Sequence, residues 1–138
     1  MEMAASVCQV SLLSQGGAVA VRDMGTEDQP EMVTGEESYV FLPGHALIST
    51  RGDTQGDVLV DLMIGEQGLS DAALLFEEVM RFSSGVVSVS DVVDPDEETL
   101  ELPRPGDWRV KVYVKGRPWP DRVFVVFDER QWEDAKLK

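Results

Sequence analysis

Trp108-Arg109-Val110-Lys111-Val112-Tyr113-Val114-Lys115 puts Trp108, Val110, Val112 and Val114 on one side of an extended chain and Arg109, Lys111, Tyr113 and Lys115 on the other. Side chains alternate across a strand, so this period of two marks an antiparallel strand with one face in a core and one in water. Pro103-Arg104-Pro105-Gly106 before it and Gly116-Arg117-Pro118-Trp119-Pro120 after it read as turns, because proline cannot donate to a ladder. Thr99–Leu102 alternates ahead of the first turn. Beyond the second, Val123-Phe124-Val125-Val126-Phe127 has no polar position and reads as a strand buried on both faces.

The same pattern recurs upstream. Val7–Leu13 alternates and breaks at Gln15-Gly16-Gly17, and Ala18–Arg22 resumes it. Tyr39–Leu42 and Ala46–Ser49 flank the turn signal Pro43-Gly44, with His45 as a turn histidine. Asp57–Ile64 sets Val58, Val60, Leu62 and Ile64 on one face, and Val86–Ser90 is a short strand opened by Gly85. Ser70–Phe82 is ambiguous, since Leu75, Val79 and Phe82 fall at helical spacing while most neighbours are also apolar. Its first half is expected to be a helical turn or loop, and Glu78–Ser83 a strand pairing with Val86–Ser90 across Ser84-Gly85. Residues 23–37 carry many acids and few apolar anchors, the mark of a long exposed loop. The expected fold is an all-β, single-domain antiparallel β-sandwich of about eight short strands with at most one short helix.

A chain of 138 residues with 43% hydrophobic content can bury a core, roughly two-thirds of its unfolded surface. Its charge is lopsided. Residues 1–103 hold twenty acidic side chains against three basic ones (Arg22, Arg51 and Arg81), a net of −17, and residues 104–138 hold nine basic against six acidic, a net of +3, making −14 in all. Such a surface repels nucleic acid and anionic lipid and attracts a basic partner. A single cysteine, Cys8, excludes an intrachain disulfide and fits a reducing compartment. The N-terminal segment lacks the basic and apolar regions of a signal peptide, and no apolar run approaches the roughly 20 residues of a membrane span. A cytoplasmic location is expected.

Catalytic chemistry has little to work with. His45 is the only histidine, and Cys8 sits in an expected strand with no activating pattern, so a core cysteine and a turn histidine outweigh a Cys8–His45 pair. Gly52-Asp53-Thr54-Gln55-Gly56 lacks the lysine and helix of a phosphate loop. With ten aromatics, several facing the core, paired carboxylates have no aromatic cleft of the glycosidase kind. Arg51-Gly52-Asp53 is read as coincidence. Arg109, Lys111, Lys115, Arg117 and Arg122, with Tyr113 and Trp119, could form a nucleic-acid stripe, but pairing with acidic strands explains them better. Asp91, Asp94, Asp96, Glu97 and Glu98 crowd into one loop, where carboxylates could hold calcium, although the spacing is not that of an EF-hand.

The stretch Glu98-Thr99-Leu100-Glu101-Leu102-Pro103-Arg104-Pro105-Gly106-Asp107-Trp108-Arg109-Val110-Lys111-Val112-Tyr113-Val114 resembles a segment of small bacterial β-sandwich proteins, in which leucine-proline, glycine and an aromatic precede alternating basic and apolar residues. It is similar in this to the competence protein J family, inhibitors of a DNA-entry nuclease. Val7–Leu13 resembles that family's opening strand and Val58–Ile64 its mid-chain apolar strand. The resemblance implies a two-layer β fold and an inhibitor or immunity role against a basic enzyme. It carries over no binding residue.

The leading expectation is a non-enzymatic acidic binding protein that neutralises a basic nuclease or toxin and needs no cofactor. Asp53, Asp57, Asp94, Asp96, Glu97 and Glu98 are the expected contact residues. The alternative is a calcium- or ligand-binding β-sandwich that uses the acidic 91–98 loop. A third view leaves acidity to solubility and gives function to an apolar face, with Trp119 between two prolines as its visible candidate.

Overall fold

The apolar run Val123–Phe127 lies where its composition requires, in the interior of a sheet with cover on both faces. The computed structural model describes residues 5–13, 17–31, 37–50, 57–65, 71–92, 97–116 and 119–128. Among these are ten strands: β1 (Ala5–Leu13), β2 (Ala18–Asp23), β3 (Tyr39–Leu42), β4 (His45–Ser49), β5 (Asp57–Ile64), β6 (Ala73–Phe82), β7 (Val86–Asp91), β8 (Glu97–Glu101), β9 (Gly106–Lys115) and β10 (Arg122–Asp128). They form two five-stranded sheets, sheet A in the order β1-β5-β10-β9-β6 and sheet B in the order β3-β4-β2-β7-β8. The all-β sandwich expected from the sequence is the fold observed, and no described residue is helical.

Alternation sorts the strands into faces as read. Val58, Val60 and Leu62 of β5, Trp108, Val110 and Val112 of β9, and Val123, Val125 and Phe127 of β10 point from sheet A into the core. Val19, Val21, Ile48, Val87 and Val89 meet them from sheet B. Phe127 is the hub at one end, with Phe82 edge-on at 5.7 Å and Trp108 edge-on at 6.4 Å. The buried indole N–H of Trp108 donates to the Arg104 carbonyl at 3.1 Å, which satisfies its one polar group. A smaller cluster of Met63, Tyr113, Phe124 and Val126 occupies the opposite face of sheet A.

Four features depart from the sequence reading. First, β10 runs parallel to β5, with Val123 opposite Val60 and Val125 opposite Leu62, while every other pairing is antiparallel. Second, the segment expected to be a loop and then a strand beside Val86–Ser90 is one ten-residue strand, β6, paired with β9. A bulge between Leu74 and Phe76 shifts its register, and the residues at helical spacing do not share a face, since Val79 is exposed and Phe82 is in the core. Third, Tyr113 is buried rather than wet. Fourth, His45 opens β4 directly opposite Arg22 rather than lying in the turn. Within 23–37, residues 24–31 form no helix or strand and are mostly exposed, in keeping with the expected loop; residues 32–36 lie outside the described residues.

The directions of the strands give the sandwich two distinct ends. At the first end β1, β4, β7 and β9 finish while β2, β3, β5, β6, β8 and β10 begin. Ser49 of sheet B and Lys115 of sheet A line one groove there, which places the first ends of the two sheets together. At the second end Asp23 accepts from Gly25 N at 3.2 Å, Ser84 N at 3.0 Å and Ser84 Oγ at 2.6 Å, tying β2 to the turn after β6. Arg81 N donates to Pro43 O at 2.7 Å and closes the same end.

Trp108→Ala should cost about 3–5 kcal/mol by opening a cavity against Phe127 and abandoning the Arg104 carbonyl. Trp108→Phe should cost less, as it keeps most of the volume, and Arg81→Ala, at an exposed ion pair, should barely move the midpoint. Urea unfolding of the three variants checks the order.

Candidate functional site

The sequence reading places the contact acids on loops at 53–61 and 91–98; residues 57–61 instead belong to β5, residue 91 to β7 and residues 97–98 to β8, and the connections that remain leave from the same end of the sandwich. Thr50 and Asp57 flank residues 51–56, Val92 and Glu97 flank residues 93–96, and all four lie at the first end. Asp53, Asp94 and Asp96 are outside the described residues. Asp57, the exposed first residue of β5, accepts from Ser11 Oγ at 3.0 Å. Glu97 lies on the outer face of sheet B, where Arg22 donates to it at 3.1 Å and the Ser88 hydroxyl also binds it. Glu98 is exposed and shares its side of the sheet with Val89, so neighbouring Glu97 and Glu98 point to opposite faces of β8. One flat contact cannot use both unless it wraps the sheet edge.

The described basic side chains are all engaged within the chain. Arg122 meets Asp61 at 3.0 Å, Arg109 meets Glu77 at 3.5 Å, Lys111 meets Asp128 at 3.5 Å, Lys115 meets Asp71 at 3.5 Å, and Arg81 meets Asp107 at 3.0 Å. Arg104 lies over the Trp108 ring at 5.1 Å. The hydrogen bond and charge of Asp107 raise the Arg81 guanidinium above its ordinary pKa, and arginine stays ionised in either case. The basic stripe considered for nucleic acid is therefore held by carboxylates, apart from Arg117, which is outside the described residues. Asp61, only 4% exposed, also accepts from Gln9 at 2.8 Å and so acts as a strut between β1, β5 and β10.

Exposed carboxylates remain at Glu27, Glu31, Glu98 and Glu101. Asp91, counted in the crowded loop, is buried, and Glu97 is held by Arg22 and Ser88. Among the described residues no set of three or more His, Cys, Asp or Glu side chains could hold a metal ion. His45 donates from Nδ1 to the Asp28 carbonyl at 2.8 Å, and Asp28 in turn accepts from Gly44 N at 2.8 Å, so the histidine pins the 24–31 loop to β4. It sits in sheet B, whereas Cys8 pairs with Leu62 in sheet A.

A groove of about 620 Å³ opens at the first end, between the edges where β3 of sheet B faces β6 of sheet A. Leu75, Val114, Trp119 and Pro120 supply its apolar wall, and Ser38 and Ser49 its polar one. Trp119 is 37% exposed. The sequence flagged Trp119 but not the groove, because Leu75 was assigned to a loop and no periodicity shows that β3 and β6 meet. Tyr39 stacked on Phe76 at 4.5 Å makes that contact.

The arrangement of strands has precedents. The chain superposes on the crystal structure of ComJ, inhibitor of the DNA degrading activity of NucA, from Bacillus subtilis, with a TM-score of 0.71 and 10% identity over 92% of this chain and 98% of that one. The chain shares its fold with ComJ. It also resembles the structure of crocagin biosynthetic gene J, with a TM-score of 0.58 and 10% identity over 87% of this chain and 94% of that one. No protein-family model and no curated protein sequence matches the chain. The resemblance read from the 98–114 segment is thus shown at the level of fold, including the ComJ likeness itself.

Glu97→Ala should destabilise by about 1–2 kcal/mol, since it strips Arg22 and Ser88 of a charged acceptor. Glu98→Gln and Glu101→Gln, both on exposed side chains, should stay within about 0.5 kcal/mol of the parent. Thermal and urea unfolding of these variants separate structural acids from those available to a partner.

Proposed function

We propose that this chain is a non-enzymatic inhibitor of a basic nuclease or toxin, acting in the cytoplasm by covering the lysines and arginines with which that enzyme holds phosphates. The observation that carries the reading is the one-sided neutralisation of charge: the described cations are engaged by the chain's own acids and aromatics, while exposed carboxylates remain. The fold supplies a precedent, because ComJ is an inhibitor of a DNA-degrading activity.

Inhibition by occlusion asks for no nucleophile and no metal. A net charge of −14 steers a basic enzyme toward the chain, and carboxylates at the first end then stand in for the phosphates of its substrate. Asp53, Asp94 and Asp96, from the loops at that end, and Glu98 are assigned to this contact. Asp57 and Glu97 are assigned to holding the flanking strands as well, through Ser11, Arg22 and Ser88.

The test is capture of partners from the native lysate at low and moderate salt, then inhibition of the purified partner's nuclease or toxin activity. Replacing Asp53, Asp94, Asp96 and Glu98 together by lysine should slow association at low salt by about tenfold or more and flatten its salt dependence. Unchanged rate and salt slope in that variant, with folding intact, would sink the reading. Added calcium should leave the melting temperature unchanged, and a rise lost in Asp94→Ala and Asp96→Ala would favour the cation-binding alternative instead.

A further inference from the structure

Sheet B ends in a strand whose outer edge is open. Strand β8 pairs with β7 on one side and with no described strand on the other. None of its residues is buried, and Glu98, Thr99 and Glu101 are exposed. The ladder shows which backbone groups face outward. Leu102 N donates to Gly85 O at 2.8 Å, one step beyond the Glu101–Val86 pair, so Leu100–Val87 and Glu98–Val89 are the pairs that exchange hydrogen bonds. Val86 O agrees with this phase, since it accepts from Met24 N at 3.1 Å and so turns toward β2 rather than β8. The amides and carbonyls of Glu97, Thr99 and Glu101 therefore point away from the sheet, and no described backbone group meets them. Such a row is a template for one more strand.

The side chains along this edge select what can add to it. Three of the five residues of β8 are acidic. Glu97 is held by Arg22 and Ser88, but the carboxylates of Glu98 and Glu101 have no partner among the described residues. A second copy of β8 would set acid against acid, which cross-strand contact penalises, so the edge disfavours its own kind and admits a strand of opposite sign. Glu98 and Leu100 lie on the core side of β8, and Glu97, Thr99 and Glu101 on the outer side. Leu100 packs against the core while still partly exposed, so an apolar residue opposite it would extend its cover.

We propose that the open edge of β8 binds an extended segment of the basic partner as one more antiparallel strand of sheet B. This rests on the inhibitor reading and adds where the partner docks and what form the docked segment takes. The register fixes a pattern: a basic residue opposite Glu101, an apolar one opposite Leu100, a β-branched one opposite Thr99 and a second basic one opposite Glu98. The two basic side chains fall on opposite faces of the added strand, because their acidic partners are three residues apart. A strand at the edge reaches both faces of β8, which a flat contact cannot do. Antiparallel is the sense of every pairing in sheet B and the more stable one per residue.

The probe is a short fluorescent peptide reading lysine, valine, threonine, lysine between flanking threonines. Two further versions carry backbone N-methyl groups, one at the first lysine and the central threonine, the other at the valine and the second lysine. Charge and side chains are the same in all three. Anisotropy at low salt should show binding weakened about tenfold or more by the first set, whose N–H groups face β8, and little changed by the second. Excess peptide should slow amide hydrogen exchange at Thr99 and Glu101, which the free chain leaves unprotected, whereas Glu98 and Leu100 are already held by β7. Thr99→Pro removes an outward N–H that β7 does not use, so it should keep the urea midpoint near the parent's and erase binding. If both methylated peptides bind like the parent, the edge is overturned, and the inhibitor reading stands when all three lose affinity with salt. Equal loss from both sets, unchanged exchange at Thr99, or no binding by any peptide also overturns the edge. So does protection of Thr99 that grows with chain concentration alone and is lost in Thr99→Pro, the mark of a second copy at the edge. Protection of Thr99 by the peptide, with no nuclease or toxin inhibited by the chain, leaves the edge standing and sinks the inhibitor reading.

Discussion

Every residue from Val123 to Phe127 needs cover on both sides of its strand, and that requirement organises sheet A. Val123, Val125 and Phe127 face the core while Phe124 and Val126 join Met63 and Tyr113 on the other side. A strand with no wet face cannot stand at an edge, so β10 is flanked by β9 and β5. The turn at Gly116–Asp121 makes the β9 pairing antiparallel. The β5 pairing is parallel because β6 begins at the same end as β5, and β7, β8, β9 and β10 then each reverse the strand before, which leaves β10 starting where β5 starts. Once β5 and β10 start at the same end, Asp57, the acidic loop before it and the Trp119 turn are gathered there. The position of the candidate site thus follows from the burial of one apolar strand.

What the sequence disclosed, and what it concealed, divides along a physical line. Strict alternation in β9, β5 and β2 and unbroken apolarity in β10 announced those strands and their buried faces. In β6 the signal was broken. Phe76, Glu78, Met80 and Phe82 share the core side of the strand, with an acid among them at the sheet edge, and the bulge at Leu75 displaces what precedes it. The tight turn after Phe82 suggested a hairpin, but it carries the chain from sheet A to sheet B. Periodicity reports which way side chains point and is silent on which strand lies alongside. For the same reason Tyr113 was assigned to water: a single core was expected, and the second cluster on the outer face of sheet A has no signature within β9 alone.

The acids were legible in number but not in employment. Asp61 and Asp128 look like any other carboxylates in sequence, yet both are buried, and they hold Arg122 and Lys111. Glu77 and Asp71 likewise hold Arg109 and Lys115. Arg109, Lys115 and Arg122 are therefore internal counter-ions for acids of the segment before residue 103, and Lys111 for Asp128 of its own segment, brought into register by β9 and β10 lying between β5 and β6. Diagonal pairs of this kind also disfavour a slipped register, since a shift of one residue would carry each partner to the other face.

This internal pairing changes what the net charge can do. At physiological salt the field of exposed charges fades over about 8 Å, so paired carboxylates contribute little to a distant partner, and unpaired ones at the surface contribute most. Steering then depends on which acids are left over, not on the total. Steering also saturates as a source of affinity, because a charge pair at an interface gives up hydration for what it gains in attraction. A chain that recognises one basic protein among many cannot do so by negative charge alone. A groove lined by Leu75, Val114, Trp119 and Pro120 lies at the first end, and shape is the property by which a surface separates partners that a field attracts equally.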